Sequence, residues 1–127
     1  WWEPRASSVE ARLRVLAEAR RAGIKTAVMF GPLLPFLSDG QEAIEELFSR
    51  AAELKIEQGW VDALNPRPRV WPSVAALLRE QFPDLRDRYR RILFDPRVRE
   101  EYLTQLRGRV AGALQRHSLE DRISVCF

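Results

Sequence analysis

Gly23-Ile-Lys-Thr-Ala-Val-Met-Phe-Gly-Pro-Leu-Leu-Pro-Phe-Leu-Ser-Asp39 is the stretch that decides the fold of this chain. A helix-stopping glycine leads into an apolar run, then a loop with two prolines, then an aspartate suited to start a helix. That order is one βα step of an α/β barrel or of a doubly wound sheet. It places the loop where such folds bind ligands. Ile24 to Phe30 is apolar apart from Lys25 and Thr26. A run so short and so apolar predicts a parallel strand buried on both faces.

Upstream, Ser7 and Glu10 have capping-box spacing, and Val9, Leu13, Leu16 and Ala17 recur at helical intervals. They predict a helix over residues 7–22, ended by Gly23. Downstream, Asp39 with Glu42 opens a second helix striped by Ala43, Ile44, Leu47, Phe48, Ala51 and Leu54. Trp60-Val-Asp-Ala-Leu64 then reads as a second strand. The α-β-α-β order predicts right-handed parallel crossovers.

Asn65-Pro-Arg-Pro-Arg69 breaks this pattern, because two prolines in three residues disfavour both helix and sheet. Everything beyond it reads as helical. Pro72 sits in the first turn of a helix ending near Phe82, with Val74, Leu77 and Leu78 inward. Leu85, Tyr89, Ile92 and Leu93 mark another. Asp95-Pro96 caps a third, with Val98, Tyr102, Leu106, Val110 and Leu114 on one face, weakened by Gly108 and Gly112. The expected division is therefore a barrel-like piece over 1–68 and a helical extension over 69–127.

The 127 residues suffice for one core but not for a full (β/α)8 barrel of about 250. With 46% hydrophobic and 31% charged residues, the composition excludes a disordered chain. No apolar run approaches the roughly 20 residues of a membrane-crossing helix. Trp1-Trp2-Glu3-Pro4 resembles neither a signal nor a transit peptide, so a cytoplasmic setting without a membrane partner is expected. The chain also lacks an initiator Met, and it reads as the back part of a larger enzyme. Cys126 has no second cysteine to pair with, and it and His117 are too few for the roughly four ligands of a metal site.

The net charge of +3 is uneven. Residues 1–64 hold 8 basic and 10 acidic groups, residues 65–127 hold 13 basic and 8 acidic, and all 13 of those bases are arginine. An arginine-rich surface suits a polyanion such as nucleic acid. The interleaved acids suggest instead a solvated helical surface with ion pairs four residues apart.

At this point the chain resembles a known family. Glu3-Pro-Arg-Ala-Ser-Ser-Val-Glu-Ala-Arg-Leu13, Ala22-Gly-Ile24, Gly31-Pro-Leu-Leu-Pro35 and Ser38-Asp39 resemble radical S-adenosylmethionine enzymes of the spore photoproduct lyase-like, or DNA repair photolyase-like, branch. Trp60-Val-Asp-Ala-Leu-Asn-Pro-Arg-Pro68 resembles the sixth strand and following loop of some of them. The resemblance implies an α/β fold, the C-terminal part of a partial (β/α)6 TIM-like barrel with two parallel strands here, followed by the helical extension. It also implies a four-iron four-sulfur (4Fe–4S) cluster on a C-x3-C-x2-C triplet and S-adenosylmethionine on the open iron. Reduction then gives a 5′-deoxyadenosyl radical, the protein supplying orientation and shielding.

The departure is the absence of that cysteine triplet. The implied role is to complete the barrel in an enzyme whose N-terminal part carries the cluster, this chain being inactive alone. By resemblance, Pro32, Leu33 and Leu34 after the first strand, and Asp62, Ala63, Leu64 and Asn65 at the end of the second, line the adenosine. Each has a plainer reading: Leu33 and Leu34 as core, the prolines as loop shapers, Asp62 as a partner of Arg67. Glu3, Arg5 and Arg67 are candidates for the substrate mouth, with a surface ion pair as the alternative for the first two. Trp1, Trp2, Trp60 and Trp71 suit packing better than base stacking because they are scattered. The competing reading is a non-enzymatic helical module whose arginines bind nucleic acid or a protein. A truncated barrel should expose one strand edge and an apolar face, and should self-associate or fold only partly.

Overall fold

The computed structural model describes residues 6–127, and Trp1, Trp2, Glu3 and Arg5 lie outside the described residues. The described residues form an α/β fold with three parallel strands and five α-helices. Helix α1 spans Val9–Arg21. Its cap is Ser8, whose hydroxyl accepts from the Ala11 amide at 3.1 Å, rather than the expected Ser7. Glu10 remains in the first turn, where it complements the positive end of the helix. Gly23, at φ +75°, ends the helix as expected. Gly23 N–H bonds to the Arg20 carbonyl and Ile24 N–H to that of Ala19, both at 2.9 Å, the double closure that a left-handed glycine permits.

Strand β1, Ala27–Leu33, runs through Gly31 and Pro32, where a loop was expected. Pro32 is tolerated because β1 is an edge strand and pairing is interrupted there. Phe30 pairs with Val61 and Leu33 with Ala63, so β1 spends one extra residue against β2, Gln58–Ala63. The Gly31–Pro32 peptide is cis. A Cβ on Gly31 would lie 2.8 Å from the Asp62 carbonyl oxygen, so only glycine allows the strands this close.

Helix α2, Gln41–Glu53, begins after Gly40, not at Asp39. The reason is that Asp39 is turned inward, where its Oδ1 accepts from the Phe36 amide at 2.7 Å. After β2 come α3 (Val70–Gln81), a tight turn over Pro83–Leu85, α4 (Arg86–Phe94) and α5 (Pro96–Arg116). Asp95 caps α5 by accepting from the Arg97 and Val98 amides at 3.0 and 3.3 Å. Gly108 and Gly112 do not break it, for the helix continues to Arg116.

The expectation that everything after Arg69 is helical is corrected by β3, Ile123–Val125. It pairs parallel to β2, with Gly59, Trp60 and Val61 opposite Ile123, Ser124 and Val125. The sheet therefore has three strands rather than two, in the order β1-β2-β3. Three residues are too short a run for periodicity to reveal.

The main core joins Phe30, Leu33, Val61, Ala63 and Ile123 of the sheet to Ile44, Phe48 and Ala51 of α2 and Leu106, Val110 and Leu114 of α5. Phe30 meets Phe48 edge-on at 5.7 Å between ring centres. A second cluster lies beyond the strand ends, built from Leu64, Val74, Leu78, Tyr89 and Leu93. Trp71 packs beside it, edge-on to Phe94 at 5.3 Å.

Helix α1 faces the same side of the sheet, with Leu13 and Leu16 towards Val28, Phe30 and Leu47 of the β1–α2 layer. Among the described residues no helix is packed on the opposite face. Met29 is 60% exposed, and Trp60 and Asp62 are half-buried. Burial of β1 on both faces is thus corrected: only alternate residues meet helices. Among the described residues no helix is long and apolar enough to cross a membrane.

Candidate functional site

In a parallel sheet every strand points the same way, so the loops after β1 and β2 gather at one end together with the chain terminus after β3. The seven residues proposed to line an adenosine divide there according to side-chain alternation. Leu33 and Ala63, paired across the two strands, are buried towards the helices. Leu64 is buried in the second cluster, and Leu34 packs against it. Leu33, Ala63 and Leu64 are thus buried in packing, and Leu34 is partly so.

Pro32 and Asn65 are exposed, and Asp62 shares the bare face with Trp60. Asp62 Oδ1 accepts from the Ala63 amide at 2.9 Å, and among the described residues Oδ2 is left as an acceptor at the strand end. Arg67 is exposed, and its backbone N–H donates to the Asn65 carbonyl at 2.8 Å, tightening the proline-rich loop. The structure does not bring the Arg67 side chain to Asp62. Glu3 and Arg5 lie outside the described residues.

A second group of polar residues was not singled out from the sequence. Asp39 is 5% exposed at the start of α2, and Arg109 of α5 reaches it twice. Arg109 Nη2 meets the Asp39 Oδ2 at 3.4 Å, and Nε donates to the Asp39 carbonyl at 3.0 Å. This pair holds the β1–α2 loop, in which the Leu34 amide also donates to Ser38 Oγ at 2.8 Å. Tyr89 and Tyr102 lie nearby, each with a buried hydroxyl that has no hydrogen-bond partner among the described residues. Burial foremost, and then the Asp39 carboxylate, holds both phenols above their usual range, so both stay protonated. The only sequence signal was Asp39 in an apolar loop, which also fits a helix cap.

The arginines of the second half bind inward more than they pair along helices. Arg109 reaches Asp39, Arg116 and His117 reach Glu45 of α2, Arg107 reaches the Phe127 carbonyl, and Arg99 the Leu64 carbonyl. The expected spacing of four is corrected for these contacts, most of which tie α5 to the first half of the chain, while Arg107 ties it to Phe127. Arg107 also meets Glu100, seven residues away, at 3.3 Å.

A 4Fe–4S cluster needs thiolates, and the chain has one cysteine, the exposed Cys126. Among the described residues no three His, Cys, Asp or Glu side chains converge. These residues do not fit the cluster. For an adenosine the fit is partial: Asp62, Asn65 and Pro32 are accessible, while Leu33, Leu34, Ala63 and Leu64 are committed to packing.

No family model matches the chain, and no solved structure matches it. Among curated proteins, the uncharacterized protein ORF301 of Acidianus two-tailed virus is 30% identical over 82 residues, covering 62% of this chain and 27% of its own length. The uncharacterized protein Rv2578c of Mycobacterium tuberculosis is 30% identical over 111 residues, covering 87% of this chain and 33% of its own. Uncharacterized protein Mb2609c of Mycobacterium bovis matches with the same figures. The chain thus spans a third or less of the length of these relatives.

Proposed function

We propose that these residues form the closing arc of a partial (β/α)6 barrel in a radical S-adenosylmethionine enzyme resembling spore photoproduct lyase. The observation that carries the proposal is the one-sided sheet. Three parallel strands lie in sequence order, α2 and α5 pack on one face with α1 standing over its β1 side, and among the described residues the other face leaves Met29 60% exposed. Successive right-handed crossovers to the next strand put every helix on one side, which is how a barrel wall is built. A doubly wound sheet would carry helices on both faces. Relatives about two and a half times as long leave room for the remaining strands.

In this reading the bare face of Met29, Trp60 and Asp62 looks into the barrel. Asp62 Oδ2 and Asn65 offer polar groups to an adenosine at the strand ends, and Trp60 helps to exclude water. The cysteines that hold the cluster are carried outside these residues, and the 127-residue chain alone is inactive. S-adenosylmethionine with a reduced cluster supplies the radical chemistry, and this chain supplies wall and orientation.

The test is anaerobic iron–sulfur reconstitution of the complete product of the gene encoding these residues. The reading expects a cluster charge-transfer band and 5′-deoxyadenosine after reduction. A product that binds no cluster overturns it.

A further inference from the structure

We infer that the cleft between the β1–α2 loop and helices α4 and α5 binds a small organic anion, a planar ring bearing one phosphate or carboxylate group. This site is separate from the bare sheet face and does not depend on the barrel reading. The cleft has a volume of about 280 Å³, enough for a compact ring and its substituent. Its walls are Phe36 from the loop, Arg88 and Arg91 from α4, and Glu101, Tyr102 and Gln105 from α5.

Phe36 is presented rather than left over. It is a non-glycine residue at φ +62°, a conformation that persists only when its surroundings impose it. The imposing group is Asp39, which accepts from the Phe36 amide and is itself held by Arg109. The result is an aromatic ring 43% exposed at the rim, on a loop fixed from beneath.

The Arg88 guanidinium lies over that ring, 3.7 Å from its centre. Stacking leaves the in-plane N–H edge of a guanidinium free to grip an oxyanion. Arg91 is three residues on, so it shares a helix face with Arg88. Neither arginine is paired with an acid among the described residues.

Tyr102 adds its ring to the wall of the cleft, its hydroxyl closed off from solvent near the Asp39 carboxylate. Glu101 on the same wall accepts from the Gln105 amide at 3.5 Å, and its charge disfavours a second anionic group on the ligand. Two arginines around one oxyanion, beside an aromatic stack, define the chemistry: one negative group, one ring.

The experiment is an amide NMR titration of the isotope-labelled chain with phenyl phosphate, inorganic phosphate and benzylamine. The site predicts saturable shifts from phenyl phosphate at Phe36, on α4 and at the Gln105 side-chain amide, with inorganic phosphate weaker and benzylamine without effect. The double variant Arg88→Gln/Arg91→Gln, both exposed positions, should weaken phenyl phosphate at least about tenfold. Absence of saturable shifts, shifts centred elsewhere, or inorganic phosphate binding as tightly as phenyl phosphate would each overturn the assignment.

Discussion

Replacing Asp39 with alanine should destabilise the chain more than any exposed charge removal, because two contacts depend on its buried carboxylate. The carboxylate is buried, accepts from the Phe36 amide at 2.7 Å, and faces Arg109 at 3.4 Å. Losing the bond to a partly buried amide costs about 1–2 kcal/mol. Stranding a fully buried partner would cost about 3–5 kcal/mol. The Arg109 side chain is 29% exposed and keeps its bond to the Asp39 carbonyl, so water and that bond reduce its share to about 1 kcal/mol.

The sum is about 2–3 kcal/mol, which for a domain of this size lowers Tm by roughly 6–15 °C. Asp39→Asn keeps an acceptor for Phe36 and should recover about half of the loss. Glu100→Ala breaks an exposed pair with Arg107 and should cost under about 1 kcal/mol. The assay is urea unfolding followed by tryptophan fluorescence at low protein concentration. If Asp39→Ala costs no more than Glu100→Ala, the buried carboxylate is not what holds the β1–α2 loop.

Gly31→Ala forces a Cβ to 2.8 Å from the Asp62 carbonyl and should cost about 1–3 kcal/mol by the same assay. Gly108→Ala meets nothing within 4 Å on a helix interior and should instead add about 0.5–1 kcal/mol. Glu45 is held down to about 2, chiefly by the Arg116 hydrogen bond and against some desolvation. A lowered folded value means its contribution is full above the usual 4.5 and is lost as pH falls towards about 2. Glu45→Gln should therefore flatten stability against pH in that window, measured by thermal melts across an acid series. Tyr89→Phe removes a buried hydroxyl with no partner among the described residues, and calorimetry should show a melt unchanged or raised.

Helices with strong stops and starts were legible in the sequence: Gly23 closes α1 and Asp95 opens α5 as their residue types require. The parallel order of the first two strands was legible too, because each is a short apolar run beside a striped helix. What periodicity could not show was decided by tertiary contacts. β3 is three residues held by β2, and β1 crosses Pro32 because its outer edge is unpaired. Asp39 looks like a cap by type and spacing, and only the return of α5, seventy residues on, draws it inward to Arg109. For the same reason the alternation of Leu33, Ala63 and Leu64 towards core, and of Asp62 towards the bare face, follows from the register of β1 on β2. A family motif places residues at a strand end without saying which face they take.

The central claim is that the bare face of the sheet is the interior of a larger barrel. Met29, the sole methionine of these residues, marks that face at 60% exposure. The direct measurement is its oxidation rate under hydroxyl-radical footprinting, read by mass spectrometry, in the 127-residue chain and in the complete gene product. Rapid oxidation in the chain and strong protection in the complete product is the predicted result. Equal oxidation in both would mean that nothing covers the face, and would contradict the claim.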